Sequence, residues 1–389
     1  MRKSGFVCNG FMPVVHQMAI LTSDLLAMRA QGKHADRFFF NETGIIMTLS
    51  TRGTSFPPAS VAITSFRRRL ACALLFAATA AAGTGVGAQT LETVDYLFPA
   101  PAQQIAFAPW VIAQQRGYYA QEGIKLNFLS GRGGVDTAKQ IGAGNAPIGH
   151  SFGDTPIIAR ATGIPVKAVA LLGGRSMMQV VVREDSAIKA PKDLKGKTIT
   201  AMSYSDANFY ALLGVLASAG LTKNDVNAQA VGPAGVWQLF AAGKSDAMTG
   251  VPEWIAEAKG TGMKLRIMPA YDYFGSMAQA ILASDDTIQK RPELVRKVVR
   301  ATLRGLRDVM ADPKAAARDY VAAMPMYAGR EAFVEEVFGL YNQYVYPDQK
   351  VLGMMDPARL NLLQNFYVKE GIVSKASPLA ELYTNQFVQ

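Results

Sequence analysis

Apolar and polar positions change rhythm repeatedly along this chain, and the first sharp change lies between residues 93 and 128. Residues 93–98 read Thr-Val-Asp-Tyr-Leu-Phe and predict a β-strand. From Ala108 the pattern becomes helical and runs to Gly123. Pro109 suits a first helical turn, where its missing N–H would be unpaired anyway. Gly123 suits the residue after a helix, where the backbone turns left-handed. Ile124, Leu126 and Phe128 then alternate as in a strand with one buried face. Strand, loop, helix and strand in so short a span predict a parallel βαβ unit.

The alternation continues downstream. A glycine-rich loop at 130–134 leads into a helix at 135–144 and a short buried strand at 146–151. Asp154 or Thr155 caps the next helix, with Pro156 in its first turn, and 166–172 is a strand. Residues 179–183 (Gln-Val-Val-Val-Arg) form an apolar strand that leads to a turn. Further strands are expected at 198–202 and 277–283, and a capped helix at 205–216 stopped by Gly220. Residues 292–306 repeat apolar side chains at helical spacing, and the C-terminal part is largely helical. The segment 140–148 is a near-match to 236–248, each a helix end, a glycine turn and a strand. Two such units suit a pair of related α/β lobes.

Three stretches carry a family resemblance. The Gln115-Arg-Gly-Tyr-Tyr-x-x-Glu-Gly-Ile124 pattern resembles the first helix of ABC-transporter solute-binding proteins of the nitrate/sulfonate/thiamine-precursor (NMT1/THI5-like) superfamily. Residues 190–199 (Ala-Pro-Lys-Asp-Leu-Lys-Gly-Lys-Thr-Ile) resemble that family's passage into the second lobe, and 236–248 its helix, turn and strand. The order and spacing carry the resemblance, which runs from about residue 91 to the C-terminus. It implies an α/β, two-lobed type II periplasmic-binding-protein fold, each lobe a mixed sheet flanked by helices, with two crossovers. Lobe 1 is expected at 89–184 and 276–389 and lobe 2 at 185–275, with hinges near 183–187 and 273–277.

Charge and cysteine content then narrow the picture. The 389 residues are ample for two lobes with real cores. The formal net charge is +10, with 40 Lys and Arg against 30 Asp and Glu. Nine of the bases and three of the acids precede residue 90, which leaves 31 against 27 in the body. That excess is too small to argue for nucleic acid or an anionic membrane surface. Cys8 and Cys72 also precede residue 90, so the body has no disulfide, thiolate nucleophile or cysteine-bound metal. His150 is its one histidine.

Residues 47–88 read as an export signal. Arg67-Arg-Arg69 is a basic head, 70–82 a short apolar core, and 83–88 a run of small residues with cleavage expected after Ala88. Cys72 lies at the start of the apolar core, whereas a lipid-modified cysteine should follow it, which argues against a lipoprotein. Residues 1–46 are read as a mis-assigned start or a disordered extension, since Met47 offers a conventional beginning. The expected location is therefore the periplasm.

Catalytic constellations are scarce. No Gly-x-Ser-x-Gly or Ser-x-x-Lys context marks a nucleophile, and no two-histidine pattern marks a metal. Gly131-Arg-Gly-Gly134 lacks the ending of a phosphate-binding loop. Fungal members of the superfamily make the thiamine pyrimidine with a histidine and a cysteine-rich segment. This chain lacks that cysteine motif, so synthase activity is not carried over. No cofactor and no metal are expected, and the chain reads as a binding protein rather than an enzyme.

In a two-lobed binder the ligand groups come from loops at strand ends and from helix N-termini. Gln103, Gln104 and Phe107 in the first such loop are candidates, Phe107 equally as a core cover. Trp110 offers an aromatic plate or core packing. Arg132 in the second loop faces either an anion or solvent. Ser151, Phe152 and Asp154 form the third group, with Asp154 alternatively a helix cap. Ser203, Tyr204 and Ser205 open a lobe 2 helix, where hydroxyls and free N–H groups can seat a polar ligand atom, and Ser205 can also cap. Glu253 and Trp254 follow a lobe 2 strand, and Arg175 lies near the hinge. Aromatic plates with few polar anchors suit a small planar solute: an aromatic carboxylate, an aryl sulfonate or a pyrimidine-type ring. The resemblance implies a monomeric receptor that delivers this solute to an ABC permease and ATPase. An exported enzyme of pyrimidine or cofactor metabolism on the same fold, or a solute-sensing adaptor, stands as the alternative.

Overall fold

The computed structural model describes residues 90–388, so the expected extension (1–46), the export signal and both cysteines lie outside the described residues. Ten strands occur among those residues. In chain order they are β1 (Glu92–Phe98), β2 (Ile124–Ser130), β3 (Ile148–Phe152), β4 (Val166–Leu172), β5 (Gln179–Arg183), β6 (Thr198–Ala201), β7 (Asn227–Ala230), β8 (Ala247–Gly250), β9 (Leu265–Pro269) and β10 (Gln279–Ser284). They build two five-stranded sheets, in the orders β2-β1-β3-β10-β4 and β7-β6-β8-β5-β9. The fourth strand of each sheet is antiparallel to both neighbours, and the pairings given by β1 and β6 are parallel.

Helices join these strands as the alternating pattern requires. Helices α1 (Ala108–Gln115) and α2 (Tyr118–Gln121) separate β1 from β2, α3 (Gly134–Gly142) separates β2 from β3, and α4 (Thr155–Ala161) precedes β4. In the second lobe α5 (Ala207–Ser218), α6 (Gly232–Ala241) and α7 (Pro252–Gly260) follow β6, β7 and β8. After β10 come α8 (Asp285–Lys290), α9 (Pro292–Ala311), α10 (Pro313–Ala323), α11 (Glu331–Tyr344), α12 (Pro357–Lys369) and α13 (Leu379–Leu382). The stretch expected as one helix from Ala108 to Gly123 is two. Gly117 takes a φ of 70° and breaks the ladder, a conformation that costs glycine little. Helix α9 buries Leu294, Val295, Val298, Thr302, Leu306 and Val309 on one face, as its apolar spacing predicts.

Sheet membership corrects the expected lobe boundary. Strand β5, placed in lobe 1 by the sequence, pairs Val180 with Thr249 of β8 and with Met268 of β9. It is therefore inside the second sheet, and the chain crosses between lobes at 173–178 rather than at 183–187. The return crossover, 270–278, contains the other expected hinge. The C-terminal helices also do more than complete lobe 1. Helix α11 packs on α10 and on α7 of lobe 2, with Lys259 paired to Glu336 and Arg330 to Glu257 at 3.2 Å.

One side chain ties the two crossovers together. Asp356 caps α12 by accepting from the backbone of Ala358 and Arg359, and so fixes the first turn. The Arg359 guanidinium donates to the carbonyl oxygens of Gly275 (2.6 Å) and Ser276 in one crossover and of Gly174 in the other. Its carbon lies 4.9 Å from the centre of the Tyr271 ring. The Ser176 and Ser276 hydroxyls complete the link at 2.5 Å. Burial pushes the guanidinium down to about 10, which leaves it protonated at neutral pH. We predict that Arg359→Met, which keeps the stem and strips three acceptors of their donor, lowers stability by about 3 kcal/mol. Urea unfolding is the check, and an unchanged midpoint would contradict this role.

Candidate functional site

A cavity of about 630 Å³ opens between the two sheets and takes its walls from both lobes. The loop after β1 ends in a helical turn, Ile105–Phe107, that leads into α1 and lays Gln104 and Phe107 on the wall. Phe107 stacks on Phe98 with centroids 4.4 Å apart, so it is both core and wall. Arg132 reaches the cavity from the glycine-rich loop before α3, and Gly134 from the first position of α3. Gly134 packs closely on β3: a Cβ there would overlap the Ser151 hydroxyl, which would have to shift. His150 and Phe152 come from β3 and Gln279 from β10. On the lobe 2 side, Met202, Ser203 and Asp206 come from the β6–α5 connection and Asn208 from the first turn of α5. Trp237 comes from α6, and Glu253, Trp254 and Glu257 from α7.

Seven of the sequence-predicted residues thus lie on the cavity: Gln104, Phe107, Arg132, Phe152, Ser203, Glu253 and Trp254. Six others lie elsewhere, each for a local reason. Trp110 is fully buried in the lobe 1 core, edge-on to Phe98 at 5.5 Å. Ser151 is buried behind Gly134, its hydroxyl 2.7 Å from that of Thr155. Asp154 neither caps α4 nor meets the cavity; it accepts from the Tyr367 hydroxyl at 2.5 Å. Tyr204 points outward, 55% exposed, and donates to the carbonyl of Ala228 at 3.0 Å. Ser205 is exposed, 3.1 Å from the Ser203 hydroxyl, and the cap of α5 is Asp206, one residue later. Arg175 pairs with Asp348 at 2.7 Å, away from the cavity. The wall residues that sequence reasoning passed over are chiefly His150, Gln279, Asp206 and Trp237. Trp237 sits in the repeated helix-turn-strand motif, which marked the element but not the face.

The charge on the wall is acidic or neutral. Arg132 is the one Lys or Arg among the described residues that line the cavity, against Asp206, Glu253 and Glu257. Burial pushes the Glu253 carboxyl up to about 7, although the Tyr341 hydroxyl donates to both its oxygens at 3.2 Å. Burial likewise pushes Asp206 up to about 6. His150 moves the other way, down to about 3, because its ring is sealed among aromatics. Among the described residues no group of three or more His, Cys, Asp or Glu side chains is placed to hold a metal ion. The arrangement can hold a flat apolar body between aromatic faces and meet a few polar atoms at its edges.

Comparison with known proteins agrees with this geometry. The sequence model of the family described as NMT1/THI5 like matches residues 104–316. The chain is similar to the riboflavin-binding protein RibY of Chloroflexus aurantiacus, 30% identical over 301 residues that cover 73% of this chain and 83% of the relative. It is also similar to the 4-amino-5-hydroxymethyl-2-methylpyrimidine phosphate synthase of Aspergillus parasiticus, 26% identical over 56% of this chain and 67% of that protein. Among solved structures, the periplasmic aliphatic sulphonate binding protein SsuA from Escherichia coli shares the two-lobed fold. Its TM-score is 0.61 at 17% identity, covering 77% of this chain and 94% of that one.

The pH dependence of stability follows from Glu253. Its pKa is higher in the folded protein than in the unfolded chain, so the folded state keeps a proton that the unfolded state has released. That contribution is complete below about pH 4.5 and is lost as the pH rises through about 7. We predict that Glu253→Gln gains stability relative to the wild type as the pH rises across this window. Urea midpoints at pH 5 and pH 8 report it; a difference between the two proteins that stays constant with pH would refute the burial.

Proposed function

Because the chain belongs to the NMT1/THI5-like family, we propose that it is the periplasmic solute-binding component of an ABC importer, closing two lobes over a small planar solute. The observation that carries this reading is the cavity walled by aromatic faces from both lobes, Phe107 and Phe152 on one side and Trp237 and Trp254 on the other. The crossovers at 173–178 and 270–278 supply the hinge. Contacts from both walls stabilise the closed state over the open one, so binding shifts a population toward closure. The closed monomer then docks on its permease and ATPase.

The wall also narrows the ligand. An aromatic carboxylate or sulfonate would add a further acidic group beside Asp206, Glu253 and Glu257, and Arg132 is the one Lys or Arg among the described residues of the wall. Burial already drives Glu253 and Asp206 toward their neutral forms, and a bound anion would raise the cost of ionising them further. The favoured ligand is therefore an uncharged, nitrogen-containing ring of pyrimidine or flavin type, in keeping with the riboflavin bound by the relative RibY. Among the described residues the wall offers no cysteine or lysine as a nucleophile, which favours a receptor over an enzyme that keeps this fold.

Thermal shift and calorimetry with riboflavin, 4-amino-5-hydroxymethyl-2-methylpyrimidine, benzoate and methanesulfonate test the reading. We expect a heterocycle to bind and to be recovered unchanged by mass spectrometry. Binding of the two anions alone would sink the ligand class, and turnover of a bound heterocycle would sink the receptor. In the same assay Trp254→Ala should weaken binding by ~1–3 kcal/mol through lost stacking area. Ser203→Ala should cost about 0.5–1.5 kcal/mol through one lost hydrogen bond. A fall in the melting temperature of either ligand-free variant without a change in affinity would place that residue in the core instead.

A further inference from the structure

Two acids meet at the lobe boundary. Asp154 lies in lobe 1, just before α4, and is 2% exposed. Asp206 lies in lobe 2, where it caps α5 and lines the cavity. A pair of tyrosine rings joins them, Tyr367 of α12 and Tyr210 of α5, with centroids 5.6 Å apart. Tyr367 donates to Asp154 Oδ2 at 2.5 Å. Tyr210 follows Asp206 by one helical turn, its N–H bonded to the Asp206 carbonyl at 3.1 Å. The charge of Asp154 is felt at Asp206 across this boundary.

Neither carboxyl has an ion-pair partner among the described residues. Asp206 accepts from the backbone of Asn208 at 3.1 Å. Asp154 Oδ1 is buried with no partner at all. Arg359 acts on Asp154 through its charge alone, because its bonds go to the carbonyls of Gly174, Gly275 and Ser276. Burial pushes the hydroxyls of Tyr210 and Tyr367 up, so both rings stay neutral. The titratable groups around the two acids are therefore two neutral tyrosines and one committed arginine. Burial raises both carboxyls, Asp206 to about 6, and for Asp206 the charge of Asp154 adds to the rise. Like charges withdrawn from water without a cation are costly to hold together.

The acids belong to different lobes. Movement of one lobe away from the other returns Asp206 to water and takes it from Asp154, so its carboxyl moves back toward the ordinary range. A carboxyl that holds its proton more tightly in the closed state than in the open one favours closure at low pH. That support is lost as the pH rises through about 6.

We propose that Asp154 and Asp206 form a proton-dependent latch, so that the receptor takes up a proton as it closes and opens more readily as the medium turns alkaline. The proposal rests on the receptor reading above, in that the two lobes move apart. It makes the proton a second ligand of the cleft. Solute and proton both favour the closed state, so each strengthens the binding of the other.

The test is the distance between the lobes in the solute-free full chain, measured by double electron–electron resonance at pH 5 and pH 8. Spin labels are placed at Lys139→Cys on α3 and Ala234→Cys on α6, exposed positions in lobe 1 and lobe 2. Cys8→Ser and Cys72→Ser remove the other thiols. Every protein also carries Glu253→Gln, because Glu253 titrates in the same range. We expect the ratio of open to closed molecules to rise about tenfold from pH 5 to pH 8. In Asp206→Asn, which keeps the helix cap, it should change less than about twofold. Asp154→Asn, which is off the cavity wall, should lower the open fraction at pH 8 by removing the repulsion. A ratio that is equal at the two pH values overturns the latch, and so does an Asp206→Asn protein that opens with pH as its parent does. The readout needs no solute. Failure of every probe to bind in calorimetry would sink the receptor reading, while the latch stands or falls on the distances.

Discussion

The architecture depends on holding two strands of irregular backbone side by side in a buried place. Crossover backbone cannot satisfy its carbonyls within a sheet, and here a guanidinium does so from outside. Arg359 suits the task because its planar fork offers several donors in a fixed geometry, one for each of Gly174, Gly275 and Ser276. A lysine would bring a single point of charge. The helix that carries Arg359 extends the link. Tyr367 on α12 donates to Asp154 of lobe 1 and lies 5.6 Å from the ring of Tyr210 on α5 of lobe 2. Phe366 meets Phe274 of the return crossover at 4.6 Å. Helix α12 therefore touches both lobes and the backbone between them, and any movement of one lobe against the other acts on its contacts.

The cleft sets two chemistries against one another. Aromatic faces exclude water, and the same exclusion moves the protons of the polar groups among them. Glu253 and Asp206 are driven toward their neutral forms and His150 toward its own, so the wall sheds charge of both signs. Arg132 stays exposed at the mouth, where solvent screens it. Recognition in such a place relies on shape and on hydrogen-bond direction. The phosphate-like or sulfonate-like readout that a basic wall would supply is missing from the lining described.

Much of the fold was legible because period and punctuation agree locally. Val94, Tyr96 and Phe98 alternate inward in β1, as do Ile124 and Leu126 in β2, since each strand has one face on the core. Gly117 was not legible as a break, because one glycine inside a helical pattern is more often tolerated than left-handed. The lobe boundary was misplaced for another reason. Val180, Val181 and Val182 are apolar on both faces, which says that β5 is central and not which sheet it enters. The site divides in the same way. Phe107, Ser203 and Trp254 follow strand ends, where loops face a cleft, and their position could be read from order alone. His150 and Gln279 lie within strands far apart in the chain, and their proximity exists only once β3 and β10 pair. Tyr204 shows how fine the margin is: with the helix capped by Asp206 instead of Ser205, its ring turns to solvent.

The shape of the crossovers has one more consequence. The second sheet is built from a single unbroken stretch of chain, from Gln179 to Pro269, and those two residues are direct partners across β5 and β9. A segment that leaves and returns at neighbouring points has the topology of an insertion into a host. Half of the ligand wall is thus encoded in one continuous piece of gene, and the other half in the sequence on either side of it. Such a layout lets the inserted half be exchanged or drift as a module, while the host half, with its aromatic casing and its clamp, keeps the frame in which a new preference is tried.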